Sequence, residues 1–141
     1  MGKNKLKLMV VDDEPDNLDL LYRIFRREFQ VFRVDSPTEA LQLLETEGEM
    51  AIIISDQSMP EMTGLEFLSK TVALFPDTIR ILLSGYSPET LEASGENLEA
   101  AQLFQCITKP WDPTVFEATI KDAKAVYQQR QGAENSSTTN P

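Results

Sequence analysis

Ala51-Ile52-Ile53-Ile54-Ser55-Asp56, running into Gln57-Ser58-Met59-Pro60-Glu61-Met62-Thr63-Gly64, is the stretch that decides how this chain folds. A strand with one wet face alternates apolar and polar residues. Three consecutive isoleucines do not, so this run predicts a strand covered on both sides. It ends on an acid, and Pro60 and Gly64 mark the segment beyond it as a loop. Leu65, Phe67, Leu68 and Val72 then recur at helical spacing, and that helix stops before Pro76. The unit is a strand, an acidic loop and a helix.

The same unit repeats outward in both directions. Toward the N-terminus, Leu6-Lys7-Leu8-Met9-Val10-Val11 reads as a strand stopping at Asp12-Asp13-Glu14-Pro15. Leu18, Leu21, Ile24 and Phe25 form the apolar face of a helix from Asp16 to about Phe29, and Val31-Phe32-Arg33-Val34 is a second strand. Ser36-Pro37-Thr38-Glu39 predicts a helix start: Ser36 caps, Pro37 takes the first position and Glu39 completes a capping box, with Gly48 just past the end. Toward the C-terminus, Ile79-Arg80-Ile81-Leu82-Leu83 is a fourth strand ending at Ser84-Gly85. Ser87-Pro88-Glu89 opens a weaker helix toward Asn97, interrupted by Gly95. Leu103–Thr108 is the fifth strand, ending at Lys109-Pro110, and Asp112-Pro113 opens a last helix through Val115, Ile120, Ala123 and Val126. Residues 1–131 are expected to form one domain and residues 132–141 a disordered polar tail.

Strands alternating with helices predict an α/β fold with a five-stranded parallel sheet, right-handed crossovers and helices on both faces. With 41% hydrophobic and 26% charged residues the chain is globular rather than disordered. Cys106 is the sole cysteine, so no intrachain disulfide forms, and it reads as a small apolar residue. The net charge of −10 argues against nonspecific binding to nucleic acid or anionic membranes. No stretch is long enough to span a membrane, and Leu8–Val11 is too short for a signal-peptide core, so a cytoplasmic location is expected.

In open α/β sheets ligands bind beyond the carboxyl ends of the strands. Here those ends are Asp12-Asp13, Asp56, Ser84 and Lys109. Singly, each is an ordinary turn residue; together they form a site. Three converging carboxylates repel one another and call for a cation. Oxygen ligands and the absence of histidine favour Mg²⁺ or Mn²⁺ over zinc. A carboxylate is also a competent nucleophile toward phosphorus, with a metal, a lysine and a hydroxyl to stabilise the transferred oxygens.

The acidic pair after the first strand, Asp56 followed by Met59-Pro60-Glu61-Met62-Thr63-Gly64, Ser84-Gly85 and Lys109-Pro110 resemble the receiver domain of response regulators in two-component signalling, from about Leu6 to Gln129. The resemblance implies a (βα)5 flavodoxin-like fold with strand order 2-1-3-4-5. It also implies a phosphoacceptor switch rather than a metabolic enzyme. By position, Asp56 is the phosphoacceptor, and Asp13 a direct Mg²⁺ ligand with Asp12 holding the ion through water. The Ser58 backbone carbonyl completes the metal shell, Lys109 pairs with the phosphoryl group before a cis Lys109–Pro110 bond, and Ser84 is the switch hydroxyl. The implied partners are a sensor histidine kinase or phosphotransfer protein and an unidentified output partner, with homodimerisation through the face of the fourth helix, fifth strand and last helix.

Two departures stand out. The family commonly carries an aromatic residue three positions before the lysine, where this chain has Cys106. Strand parity would put Phe104 on the same face, so either Phe104 substitutes or the aromatic half of the coupling is missing. The segment between Ser84 and Lys109 is also irregular. Trp111 is read either as a partner anchor or as a ring lying over the start of the last helix. Two other readings compete: a phosphohydrolase of the haloacid dehalogenase type, which wants an acid where Ser58 stands, and a receiver-like module that binds a partner without phosphorylation.

Overall fold

The computed structural model describes residues 5–139, with side chains through residue 132. Strands β1 (Leu6–Val11), β2 (Phe29–Val34), β3 (Ile52–Asp56), β4 (Ile79–Ser84) and β5 (Gln105–Thr108) form the sheet. Helices α1 (Pro15–Phe25), α2 (Pro37–Glu47) and α3 (Gly64–Leu74) follow the first three strands. The pair α4 (Pro88–Ala93) and α5 (Leu98–Ala101) follows β4, and α6 (Pro113–Thr139) follows β5. All pairings are parallel and the order is β2-β1-β3-β4-β5, as expected.

The register explains the unbroken apolar strands. Val10, Ile54, Ile81 and Gln105 lie side by side, as do Val11, Ser55, Leu82 and Cys106. Leu8, Val10, Ile52, Ile54, Ile79, Ile81 and Leu83 face one core layer with Leu21 and Phe25 of α1 and Phe116 and Ile120 of α6. Met9, Val11, Ile53 and Leu82 face the other, with Ala40 and Leu44 of α2 and Leu65 and Leu68 of α3. Ile52, Ile53 and Ile54 are 0% exposed, and each such burial contributes about 1.5–3 kcal/mol. Because α1 and α3 leave β1 and β3 toward opposite faces, a crevice opens at the carboxyl ends of these adjacent strands.

Several boundaries differ from the sequence expectation. α1 stops at Phe25 and β2 begins at Phe29, which pairs with Leu6 and is buried; the strand gains more from that ring than another helical turn would. Ser36 Oγ accepts from the Glu39 N–H at 3.1 Å, but the reciprocal capping box is found at α3, between Thr63 and Glu66. The fourth helix is two helices: Gly95 takes φ +94°, and Asn97 starts the second by accepting from the Ala100 N–H at 3.1 Å.

The shared face expected for Phe104 and Cys106 is corrected. β5 begins at Gln105, and strand alternation does not bind the residue before it. Phe104 packs against the layer of α1 and α6, whereas Cys106 packs against the layer of α2 and α3. Cys106 is half-buried, and burial, then the Glu89 charge, pushes its thiol pKa up. Trp111 stands edge-on to Phe116 at 4.6 Å, so its ring lies over the start of α6. α6 itself continues past Gln131, where a disordered tail was expected to begin. No proline interrupts it, and a lone Gly132 costs only about 1 kcal/mol in a helix. Among the described residues no helix is long and apolar enough to cross a membrane.

Candidate functional site

β1 delivers the first acid. The Asp12 N–H bonds the Val34 carbonyl at 3.1 Å, extending the sheet one residue, and the side chain is 1% exposed. Asp12 Oδ1 accepts from the Glu14 N–H at 2.9 Å and Oδ2 from Asn17 Nδ2 at 3.2 Å. Burial raises the Asp12 pKa and the nearby Asp56 charge adds to the rise. The Glu14 N–H, Asn17 and Lys109 oppose it without cancelling it. Asp13 is exposed at the mouth of the crevice.

β3 delivers Asp56 as its last residue, 5% exposed. One carboxylate oxygen, Oδ2, accepts from the Ser58 N–H at 3.1 Å, and the other is ion-paired with the Lys109 ammonium. Oxygens of Asp12, Asp13 and Asp56 lie within 4.8 Å of one another. Lys109 is held from β5 through its N–H to the Ser84 carbonyl at 2.7 Å, and the Lys109–Pro110 bond is cis. Desolvation works to lower the Lys109 pKa, but the hydrogen bond and charge of Asp56, with Asp12 and Glu14, outweigh it and the net shift is upward. Ser84 is buried at the end of β4, where its Oγ accepts from the Tyr86 N–H at 2.9 Å.

All the singled-out residues therefore meet at one edge of the sheet, with Ser84 bonded within its own turn. Ser58 and the exposed Tyr86 flank the pocket and line a cleft of about 460 Å³ with Thr63 and Thr90. Trp111 sits on the far side of Lys109, lining an apolar groove of about 420 Å³ with Leu20 and Ile24 of α1.

Two positioning residues escaped the sequence reading. Gln57, nearly fully buried, staples the loop after Asp56: its N–H donates to Leu83 O, its carbonyl accepts from the Gly64 N–H and its Oε1 from the Leu65 N–H, each at 2.9 Å. No pattern signals this role for a glutamine. Gly64 presses on the Asp56 backbone: an added Cβ would overlap the Asp56 carbonyl oxygen and come within 2.9 Å of Leu82 Cδ1. The Thr63-x-x-Glu66 spacing, a legible capping signal, marks where this glycine starts α3.

A flavodoxin-like five-stranded α/β domain with three carboxylates clustered at the carboxyl edge of its sheet, and a lysine salt-bridged to the central one, defines the class of the fold and of the site. Residues 8–121 match the family model described as the response regulator receiver domain, and the chain belongs to that family. It is 39% identical over 127 residues to the hydrogenase transcriptional regulatory protein HoxA of Bradyrhizobium diazoefficiens, covering 90% of this chain and 26% of that protein. It is 37% identical to the protein of the same name from Cupriavidus necator, covering 87% and 25%. The chain thus spans about a quarter of the length of these relatives. Among solved structures, a response regulator receiver domain from Methanospirillum hungatei superposes with a TM-score of 0.79 at 27% identity, covering 91% of this chain and 99% of that one. A structure described as an adenylate cyclase from Rhodopirellula baltica superposes at 0.84 and 24% identity, covering 96% and 99%, a likeness of fold.

Proposed function

We propose that this domain is the phosphoacceptor switch of a two-component phosphorelay. An Asp56 carboxylate oxygen attacks the phosphorus of a phosphohistidine on a sensor histidine kinase or phosphotransfer protein. The new O–P bond forms as the N–P bond breaks, and the electron pair leaves with the imidazole. The observation that carries this reading is the convergence of three carboxylates with Lys109 already paired to the nucleophile.

The donor set fits a hard cation, all oxygen and crowded enough to need one. Asp12, Asp13, Asp56 and the Ser58 carbonyl would hold Mg²⁺ or Mn²⁺. Bound there, the ion neutralises charge on the incoming phosphoryl oxygens. Lys109 transfers its ammonium from Asp56 to a phosphoryl oxygen. Ser84 gives up the Tyr86 N–H and donates its hydroxyl to another oxygen, which frees the turn that leads into α4. Two arrangements pre-exist, and the phosphoryl group favours one. The surface of α4–α5, β5 and α6 then changes for an output partner or a second copy of the chain. In the HoxA relatives the matched segment is about a quarter of a transcriptional regulatory protein, which supports an output of that kind from a longer chain. Neither Ser58 nor Tyr86 suits the orientation of an attacking water, so self-dephosphorylation is slow, and a phosphoryl half-life of seconds would count against this.

A second reading, a module that binds its partner without phosphorylation, is favoured by one observation: Cys106 replaces the usual aromatic, and Phe104 packs on the other side. Titration with beryllofluoride, a mimic of aspartyl phosphate, at saturating Mg²⁺ separates the two. A saturable change in Trp111 fluorescence, lost in Asp56→Asn, supports the switch. Bound mimic with no spectral change at Trp111 or along α4 points to a weakened switch. No binding leaves the phosphate-independent module.

A further inference from the structure

Arg80 lies within β4, the strand that ends at Ser84, and is only 2% exposed. Among the described residues it has no carboxylate partner. Its guanidinium is satisfied by backbone alone: Nε donates to Ala101 O at 3.1 Å, Nη1 to Phe75 O at 3.1 Å and Nη2 to Pro76 O at 3.3 Å. Phe75 and Pro76 follow the last residue of α3, and Ala101 is the last residue of α5. These carbonyls lie at or just past helix ends, where the aligned peptide dipoles favour a cation, and Phe75 O also accepts from the Thr78 N–H at 3.2 Å. A planar fork holds its donors in fixed, spread positions that match three such groups, whereas a lysine offers its three donors from a single point. The Phe104 N–H closes the arrangement on the Arg80 carbonyl at 2.7 Å.

Each of the two helices after β4 buries one residue, but they differ in how they end. α5 ends on a fully buried Ala101 bound to Arg80. α4 buries Leu91, while Glu89, Glu92 and Ala93 are exposed. Between them Gly95 adopts φ +94° with open space around it, closing α4 through its N–H to Glu92 O at 3.0 Å. We propose that Arg80 is a positioning residue of the switch: it pins α5 to β4 and α3, so that movement released at Ser84 is taken up by α4 turning about Gly95. The output surface then has one moving and one fixed wall. The groove of about 590 Å³ between Glu92 of α4 and Leu98, Leu103 and Cys106 opposite it changes shape as α4 moves. The switching role rests on the phosphoacceptor reading; the pin itself does not.

Hydrogen–deuterium exchange on the full chain tests both parts. Without beryllofluoride, Arg80→Met should speed exchange across residues 98–104 by about tenfold or more, the loss expected when charge-assisted bonds to a buried segment are removed. Residues 86–94 should change little. With Mg²⁺ and beryllofluoride, the wild-type response should fall on 86–94 and spare 98–104, and in Arg80→Met it should spread to 98–104. Arg80→Lys, which keeps the charge without the fork, should lie between. Equal responses of both segments in the wild type overturn the switching role, a result that needs no variant to fold. Unchanged exchange at 98–104 in Arg80→Met and Arg80→Lys overturns the pin. If the wild type fails to bind beryllofluoride, the phosphoacceptor reading and the switching role fall together, while exchange without the mimic still decides the pin.

Discussion

Replacing Gly64 with alanine tests whether Asp56, the proposed phosphoacceptor, is held by backbone packing. The added methyl would overlap the Asp56 carbonyl oxygen, lie 3.0 Å from the Asp56 carbonyl carbon and 2.9 Å from Leu82 Cδ1. The leucine tip can rotate away, but the Asp56 carbonyl belongs to β3 and also accepts the Ser55 hydroxyl at 2.9 Å. Relief therefore requires moving either the start of α3 or the end of β3. Overpacking of this kind costs about 1–3 kcal/mol. For a domain of this size that lowers Tm by about 3–12 °C. A shift of the acceptor by about 1 Å also weakens beryllofluoride binding, by up to roughly 100-fold if the geometry is as demanding as in other preorganised sites. Urea unfolding followed by circular dichroism and a beryllofluoride titration measure the two effects. Gly85→Ala is the control, because a Cβ there meets nothing within 4 Å and should cost no more than about 0.5 kcal/mol. A Gly64→Ala protein as stable as that control, with wild-type beryllofluoride affinity, would refute the reasoning.

Three further outcomes follow from the site. The folded-state pKa of Lys109 lies above its ordinary value, so its pairing stabilises the fold fully below that value and fades as pH rises through the folded one. Wild type and Lys109→Met should differ in urea midpoint at pH 7, and the gap should narrow as pH rises through the folded-state value. Asp12 is raised by burial and by Asp56, so its charged form destabilises the metal-free fold at neutral pH and protonation relieves this on acidification. Asp12→Asn should therefore unfold at higher urea than wild type at pH 7 without Mg²⁺, while binding Mg²⁺ more weakly. Equal urea midpoints would count against that assignment. Ser84→Ala should still take up phosphate from a small phosphodonor, measured by mass, but lose the exchange response over residues 86–94. A full response would sink the proposed coupling.

The sheet was legible because its strands are buried on both faces. Unbroken runs such as Ile52–Ile54 and Leu82–Leu83 have no other economical reading, and their acidic or hydroxyl ends mark where a ligand binds. Punctuation by Pro37, Pro88 and Pro113 located three helix starts, since proline is tolerated in the first turn and not further in. Strand order came only from the family resemblance, because periodicity says which residues are buried and not which strands are neighbours. Local pattern also failed where two signals compete. Ser36-x-x-Glu39 and Thr63-x-x-Glu66 carry the same capping motif, yet the full box is found at the second. Phe104 was assigned a face by an alternation that begins one residue later.

What the sequence by itself determined is the set of polar groups gathered at one edge of the sheet: Asp12, Asp13, Asp56, Ser84 and Lys109, each at the end of a predicted strand, because an apolar run must stop where the chain meets water. What only the tertiary structure decided is how those groups are held. The Lys109 pairing to Asp56, the closeness of Gly64 to the Asp56 backbone, the Gln57 staple and the burial of Arg80 against two helix ends all join residues that are separated along the sequence and brought together by packing. The physical reason is that a hydrogen bond to a backbone carbonyl leaves no mark on the residue that accepts it. Any residue can lend its carbonyl, and any but proline its N–H, so the partners of Arg80 and Gln57 appear only when the chain is folded.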